Sequence, residues 1–228
     1  MNYTKKVIMR FVGLFLSRLC YSYYLMRWKA PAKPGKIIWV APADIVKSIE
    51  FTPIVMQKRN YLNGIIAKGE WGFTNYTVHE LHQKLFDSFE KIFVEGVPFT
   101  QTSYFDKKKK TIKEEELIEI HNNEHKKAYR SIEKSGFHIP RSIFDEIDVF
   151  QISIGGEGDI LFMTGKHRLA IALLMGEDFK IPANVSHRHI EWQKKRDLIL
   201  KGKKSKERDI LLEKYGDHPD IVSELEFS

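Results

Sequence analysis

Residues 164–172 read Thr-Gly-Lys-His-Arg-Leu-Ala-Ile-Ala, and Gly165, Lys166, His167 and Arg168 within them are residue types that together hold an anion. Arg168 offers a planar fork matched to two phosphate oxygens, Lys166 a mobile point charge, and His167 a ring hydrogen-bond donor. The apolar run ahead of them, 159–163, reads as a short strand. The run behind them, 169–175, reads as a helix closed by Gly176. A strand, a glycine turn and a helix start leave backbone N–H groups without intrahelical partners, beside side chains of matching charge. That is a phosphate site in outline.

The elements around this turn follow from pattern and punctuation. Residues 30–35, Ala-Pro-Ala-Lys-Pro-Gly, break any helix and read as a linker. Residues 36–40 and 63–68 read as strands, and Pro42 opens a short helix. Thr77 with Glu80 three residues on is a capping-box pattern, and Leu81, Leu85, Phe89 and Ile92 keep helical spacing. Phe86, Phe89 and Phe93 are core positions of that helix. A further helix is predicted over 113–134, closed by Gly136. Strands follow over 148–154 and 181–186, with a Gly-rich turn at 155–158 and a helix over 189–200. The chain is therefore mixed α+β. Its parts are an N-terminal amphipathic helix (1–30), one domain (31–200), and a charged, peripheral tail (201–228).

The order of these elements resembles the ParB/sulfiredoxin superfamily. The resemblance rests on Tyr129-Arg-Ser131-Ile132 ending at Gly136, a strand pair, the Gly165-Lys-His-Arg168-Leu-Ala-Ile-Ala172 box, and Ile181-Pro182. It covers roughly residues 126–189, and it implies an α+β fold with a small mixed sheet flanked by helices and a helical insertion at about 71–125. It implies a nucleotide as ligand (ATP, ADP or CTP, with Mg²⁺), its phosphates held by Gly165, Lys166, His167 and Arg168. In ParB proteins the box grips cytidine triphosphate, and in free-serine kinases a related box holds an adenine nucleotide. Lys166 stands where sulfiredoxins carry their catalytic cysteine, so sulfiredoxin chemistry is excluded. About thirty residues follow Arg196, too few for the DNA-binding helices of segregation-type ParB.

A kinase of this type needs one carboxylate to take a hydroxyl proton and another for Mg²⁺. Glu70, in Gly-Glu-Trp-Gly at a strand end, and Asp159, just before the motif strand, are the candidates, with Glu157 in the Gly-rich turn beside them. Each has a plain alternative as an exposed or hairpin-turn carboxylate. Arg188 and His189 follow the last strand, where sheets gather ligand groups, and are expected to contact a small-molecule substrate. Neither CxxC nor HExxH occurs, so no metal-ligand set is assigned.

The chain has 228 residues and a net charge of +7, which favours anionic partners without choosing among them. A single cysteine, Cys20, allows no internal disulfide and points to a reducing, cytoplasmic setting. The lysine run 107–110 reads as a solvated loop. Residues 5–28 mix Phe, Leu, Tyr and Met with basic residues. This segment reads as a helix on an anionic membrane surface, as a helix docked on the domain, or as a tilted span. Three functions are open: a phosphotransferase or nucleotidase acting on a small hydroxyl-bearing substrate, a non-catalytic nucleotide-gated module, and a nucleic-acid binder. The last lacks a base-reading helix or an aromatic ladder.

Overall fold

Strand β6 (Ile181–His189) is the spine of the molecule, and all nine of its residues are buried. A computed structural model describes residues 3–49, 64–73, 77–139 and 150–225. On one edge of β6 lie two short strands: β1 (Ile37–Val40), antiparallel and opposite residues 181–184, and β3 (Ile65–Ala67), parallel and opposite residues 187–189. On the other edge β4 (Phe150–Ile154) runs parallel to β6. It turns back through Gly155 and Gly158 into β5 (Ile160–Thr164), whose far side pairs with β2 (Lys47–Ser48). The result is a six-stranded mixed sheet flanked by helices, an α+β architecture.

Alternation along the strands sorts the two faces. Phe150, Ile152, Ile154, Ile160 and Phe162 point to the main core, where Leu85 and Phe89 of α2 (Val78–Phe93) join them. Each such fully buried side chain contributes about 1.5–3 kcal/mol. Leu161 and Met163 point the other way and form a small second cluster with Ile49 and Trp71. Helix α2 starts where the capping pattern places it, with Thr77 Oγ1 accepting from the Glu80 N–H at 3.2 Å.

Helix α1 (Tyr3–Arg27) precedes the sheet. After α2 come α3 (Ser103–Lys108), α4 (Glu114–Ile120) and α5 (Lys126–Ser135). The helix expected over 113–134 is thus present but interrupted by a π-turn, His121–His125. The helix of the Gly165–Arg168 motif, α6 (Lys166–Leu174), starts three residues earlier than the apolar pattern suggests, directly on Gly165. Residues 63, 148 and 149 of the predicted strands lie outside the described residues.

The segment after residue 201 is not peripheral. Helix α7 (Ile190–Lys201) leads into α8 (Lys206–Tyr215) and α9 (Pro219–Leu225), and α9 returns to the sheet with Asp220 and Ile221 fully buried. Asp220 Oδ2 accepts from Arg188 Nε at 2.9 Å and from Trp192 Nε1 at 2.9 Å, while Oδ1 accepts from Arg188 Nη2 at 2.6 Å. Arg196 Nε approaches the same carboxylate to 3.3 Å. Burial alone would raise the Asp220 carboxyl, but the two guanidiniums outweigh it and hold it far below the usual carboxylate range.

Candidate anion-binding site

The turn that begins α6 depends on Gly165. Its φ of +101° is in the left-handed region, and a Cβ there would stand 2.7 Å from the Phe150 ring. Glycine alone lets the backbone turn so tightly against β4. Gly165 provides no side-chain cap, so it leaves the first-turn N–H groups of α6, the positive end of the helix dipole, without a side-chain acceptor from the N-cap.

Lys166 and Arg168 are both half-buried in this turn. Burial, and then the neighbouring Lys108 and Lys107, lower the proton affinity of Lys166. Those two lysines end α3, which packs against α2. Lys108 Nζ also lies 5.8 Å from the centre of the Tyr104 ring. On α2, His82 is held below its ordinary range by burial and then by Lys166 and Lys107. The electrostatic neighbours that matter to Lys166 and His82 are all cations. Like charges converge here at the N-terminus of a helix, and an anion would relieve their repulsion.

His167 departs from its expected role. Its ring turns inward, stacks on Phe89 at 5.9 Å, and shares a hydrogen bond between Nε2 and Tyr104 Oη at 2.9 Å. Burial, then His125 and Lys166, push its pKa down to about 3, while burial pushes Tyr104 up to about 12. Both partners are therefore neutral at ordinary pH. His125, from the π-turn, lies 4.5 Å from His167 ring to ring. Both nitrogens of His125 and both of His121 are buried without hydrogen-bond partners. His121 instead stacks on Phe99 at 4.2 Å. Burial is the main reason both titrate near 4. Among the described residues, no group of three or more His, Cys, Asp or Glu is placed to hold a metal ion.

The remaining sequence candidates sit at the opposite end of the sheet. Glu70 lies in a 3₁₀ turn (Glu70–Phe73) just beyond β3, level with the end of β6. It lines an open cleft of about 640 Å³ with Arg27, Trp28, His189 and Lys194. Asp159 precedes β5 and pairs with Lys47 Nζ at 3.0 Å. Between Asn184, level with the start of β4, and His189 lie five residue steps of β6, ~17 Å at about 3.3 Å each. Glu70 and Asp159 therefore do not share a site with residues 165–168, and no step through Mg²⁺ is derived from them. His189 caps α7, Nδ1 accepting from the Glu191 N–H at 3.3 Å and Nε2 bonding to the Gly69 carbonyl at 2.8 Å. Arg188 is 1% exposed and committed to Asp220, so it is not placed to meet a substrate.

Tyr104, Lys107, Lys108, His82 and His125 are the site residues that sequence reasoning missed. The lysine run was visible but read as solvated, and nothing in local pattern ties residues 82, 104 or 125 to residue 166. Neither a family model, a curated protein nor a solved structure matches this chain.

Proposed function

We propose that this chain is a nucleotide-binding module whose ligand lays its phosphates on the first turn of α6, with Lys166, Arg168, Lys107 and Lys108 as the charged contacts. The observation that carries the reading is the glycine-started N-terminus of α6, against which α3 is held by the Tyr104–His167 hydrogen bond at 2.9 Å, with Lys108 Nζ 5.8 Å from the Tyr104 ring. The choice of a nucleotide over another phosphorylated compound rests on the ParB/sulfiredoxin resemblance. A binding module fits better than a phosphotransferase because Glu70 and Asp159 stand at the far end of the sheet. The ring contact between His167 and His125, at 4.5 Å, joins the first turn of α6 to the helical segment 114–135, and is the route by which occupancy of that turn would be passed on.

Calorimetric titration of ATP, ADP, CTP and GTP, with and without Mg²⁺, tests this. One nucleotide is expected to bind saturably to the wild type. Lys166→Ala or Arg168→Ala should weaken it by roughly 10–100-fold, the value of one charge-assisted hydrogen bond of ~1.5–3 kcal/mol. Glu70→Gln should bind as the wild type does. If no nucleotide binds more tightly than millimolar, the proposal fails. Turnover in the same mixture would favour the phosphotransferase reading, with a base other than Glu70 or Asp159.

A further inference from the structure

Helix α1 is built inside out for a helix that belongs only to its own domain. Among residues 11–27 the positions it buries fall on one stripe, Gly13, Ser17 and Tyr24, with Cys20 half-buried between them. Tyr24 anchors that stripe, its hydroxyl lying 3.1 Å from the Ile66 N–H of β3 and 3.3 Å from the Ile66 carbonyl. Helical spacing of four, three and four residues makes this a single narrow face, and it is made of small and polar residues. The large apolar side chains are left outside. Phe15 is 63% exposed, Met26 81%, Leu25 55% and Leu19 52%. A docked helix ordinarily shows the reverse arrangement.

Charge narrows the choice of what covers that face. The helix carries Lys5, Lys6, Arg10, Arg18 and Arg27 and contains neither Asp nor Glu. A protein partner would have to meet both an apolar and a strongly cationic surface, whereas an anionic bilayer supplies both complements at once. At 25 residues α1 is long, yet no described helix is apolar enough to cross a membrane. Tyr21, Tyr23 and Trp28 cluster at its C-terminal end, and aromatic side chains of this kind favour the headgroup level. The geometry points to α1 lying flat in the interface of an anionic phospholipid membrane, with Phe15, Leu19 and Met26 among the acyl chains and Arg18 and Arg27 at the headgroups. This inference is independent of the nucleotide reading.

Vesicle sedimentation of the full chain tests it. The wild type is expected to pellet with vesicles of phosphatidylcholine and phosphatidylserine, to stay in solution with phosphatidylcholine alone, and to be released by salt. Phe15→Glu with Leu19→Glu should abolish pelleting while leaving the circular dichroism and melting of the domain unchanged. An environment-sensitive fluorophore on Met26→Cys, in a Cys20→Ser background, should shift to the blue on adding the anionic vesicles. Wild-type protein left in the supernatant with anionic vesicles would overturn the proposal, as would undiminished pelleting of the double variant. A dimer in light scattering that Phe15→Glu with Leu19→Glu converts to monomer, with no lipid binding, would assign the face to a second copy of the chain instead.

Discussion

At His121 a charged-state cost and a packing gain meet in one side chain. The ring stacks on Phe99 while neither nitrogen finds a partner, and each buried unsatisfied polar atom costs about 1–3 kcal/mol. His121→Phe keeps the flat stacking surface and removes the unsatisfied atoms, so it should raise the urea midpoint. Its pH signature has a definite sign. The unfolded imidazole titrates at 6.5 and the folded one near 4, so between these values the unfolded chain binds more protons. Stability is complete above pH 6.5 and falls as pH drops toward about 4, with His125 contributing in the same direction. Urea unfolding across that window should show a shallower acid loss in His121→Phe than in the wild type. An unchanged slope would mean that His121 is not the titrating group. Gly165→Ala tests the turn itself: the clash with Phe150 and the φ of +101° should cost about 1–3 kcal/mol in thermal unfolding, together with ligand affinity.

Between elements, a fully buried ion pair, Arg188 with Asp220, fastens α9 to β6. Asp220→Ala would leave Arg188 and Arg196 buried without their shared carboxylate, a loss of about 3–5 kcal/mol. Denaturant unfolding should show it at pH 7, and a change below 1 kcal/mol would mean that water, or Glu224, which pairs with Arg196, replaces the carboxylate. This tie also marks where sequence reading stopped. Thr77 and Glu80, Gly165 and Gly136, and the apolar runs at 37–40 and 160–163 carry local signals, and the elements they announce are present. The sequence His-Arg-His at 187–189 looks like a polar loop because its charge is compensated by a residue thirty-odd positions later, on a segment with few apolar residues. Local periodicity holds no record of such a pairing. The same holds for Lys166, whose neighbours arrive from α3, and for Glu70 and Asp159, whose distance from it is set by strand direction.

For the whole molecule, cations converging at one end of the sheet predict that anions stabilise the fold. Inorganic phosphate or a bound nucleotide should stabilise the fold by mass action, by ~2.7 kcal/mol at a hundredfold excess over Kd, and so raise Tm, and Lys166→Ala should blunt the rise. Equal stabilisation of both proteins would assign the effect to general screening. The placement of β6 has a consequence in time as well as in space. It pairs Ile37 with Asn184 and Ile65 with His187, so every contact that closes this edge joins residues far apart in the chain. While the polypeptide emerges from the ribosome, β1 and β3 have no strand to pair with until residue 189 is free. Refolding of the full chain should accordingly be slow, in the millisecond-to-second range of non-local sheets, when followed by stopped-flow fluorescence. A chain cut before residue 181 leaves β1, β3 and β4 without β6, with which each of them pairs, and this makes it a template for aggregation rather than a smaller version of the protein.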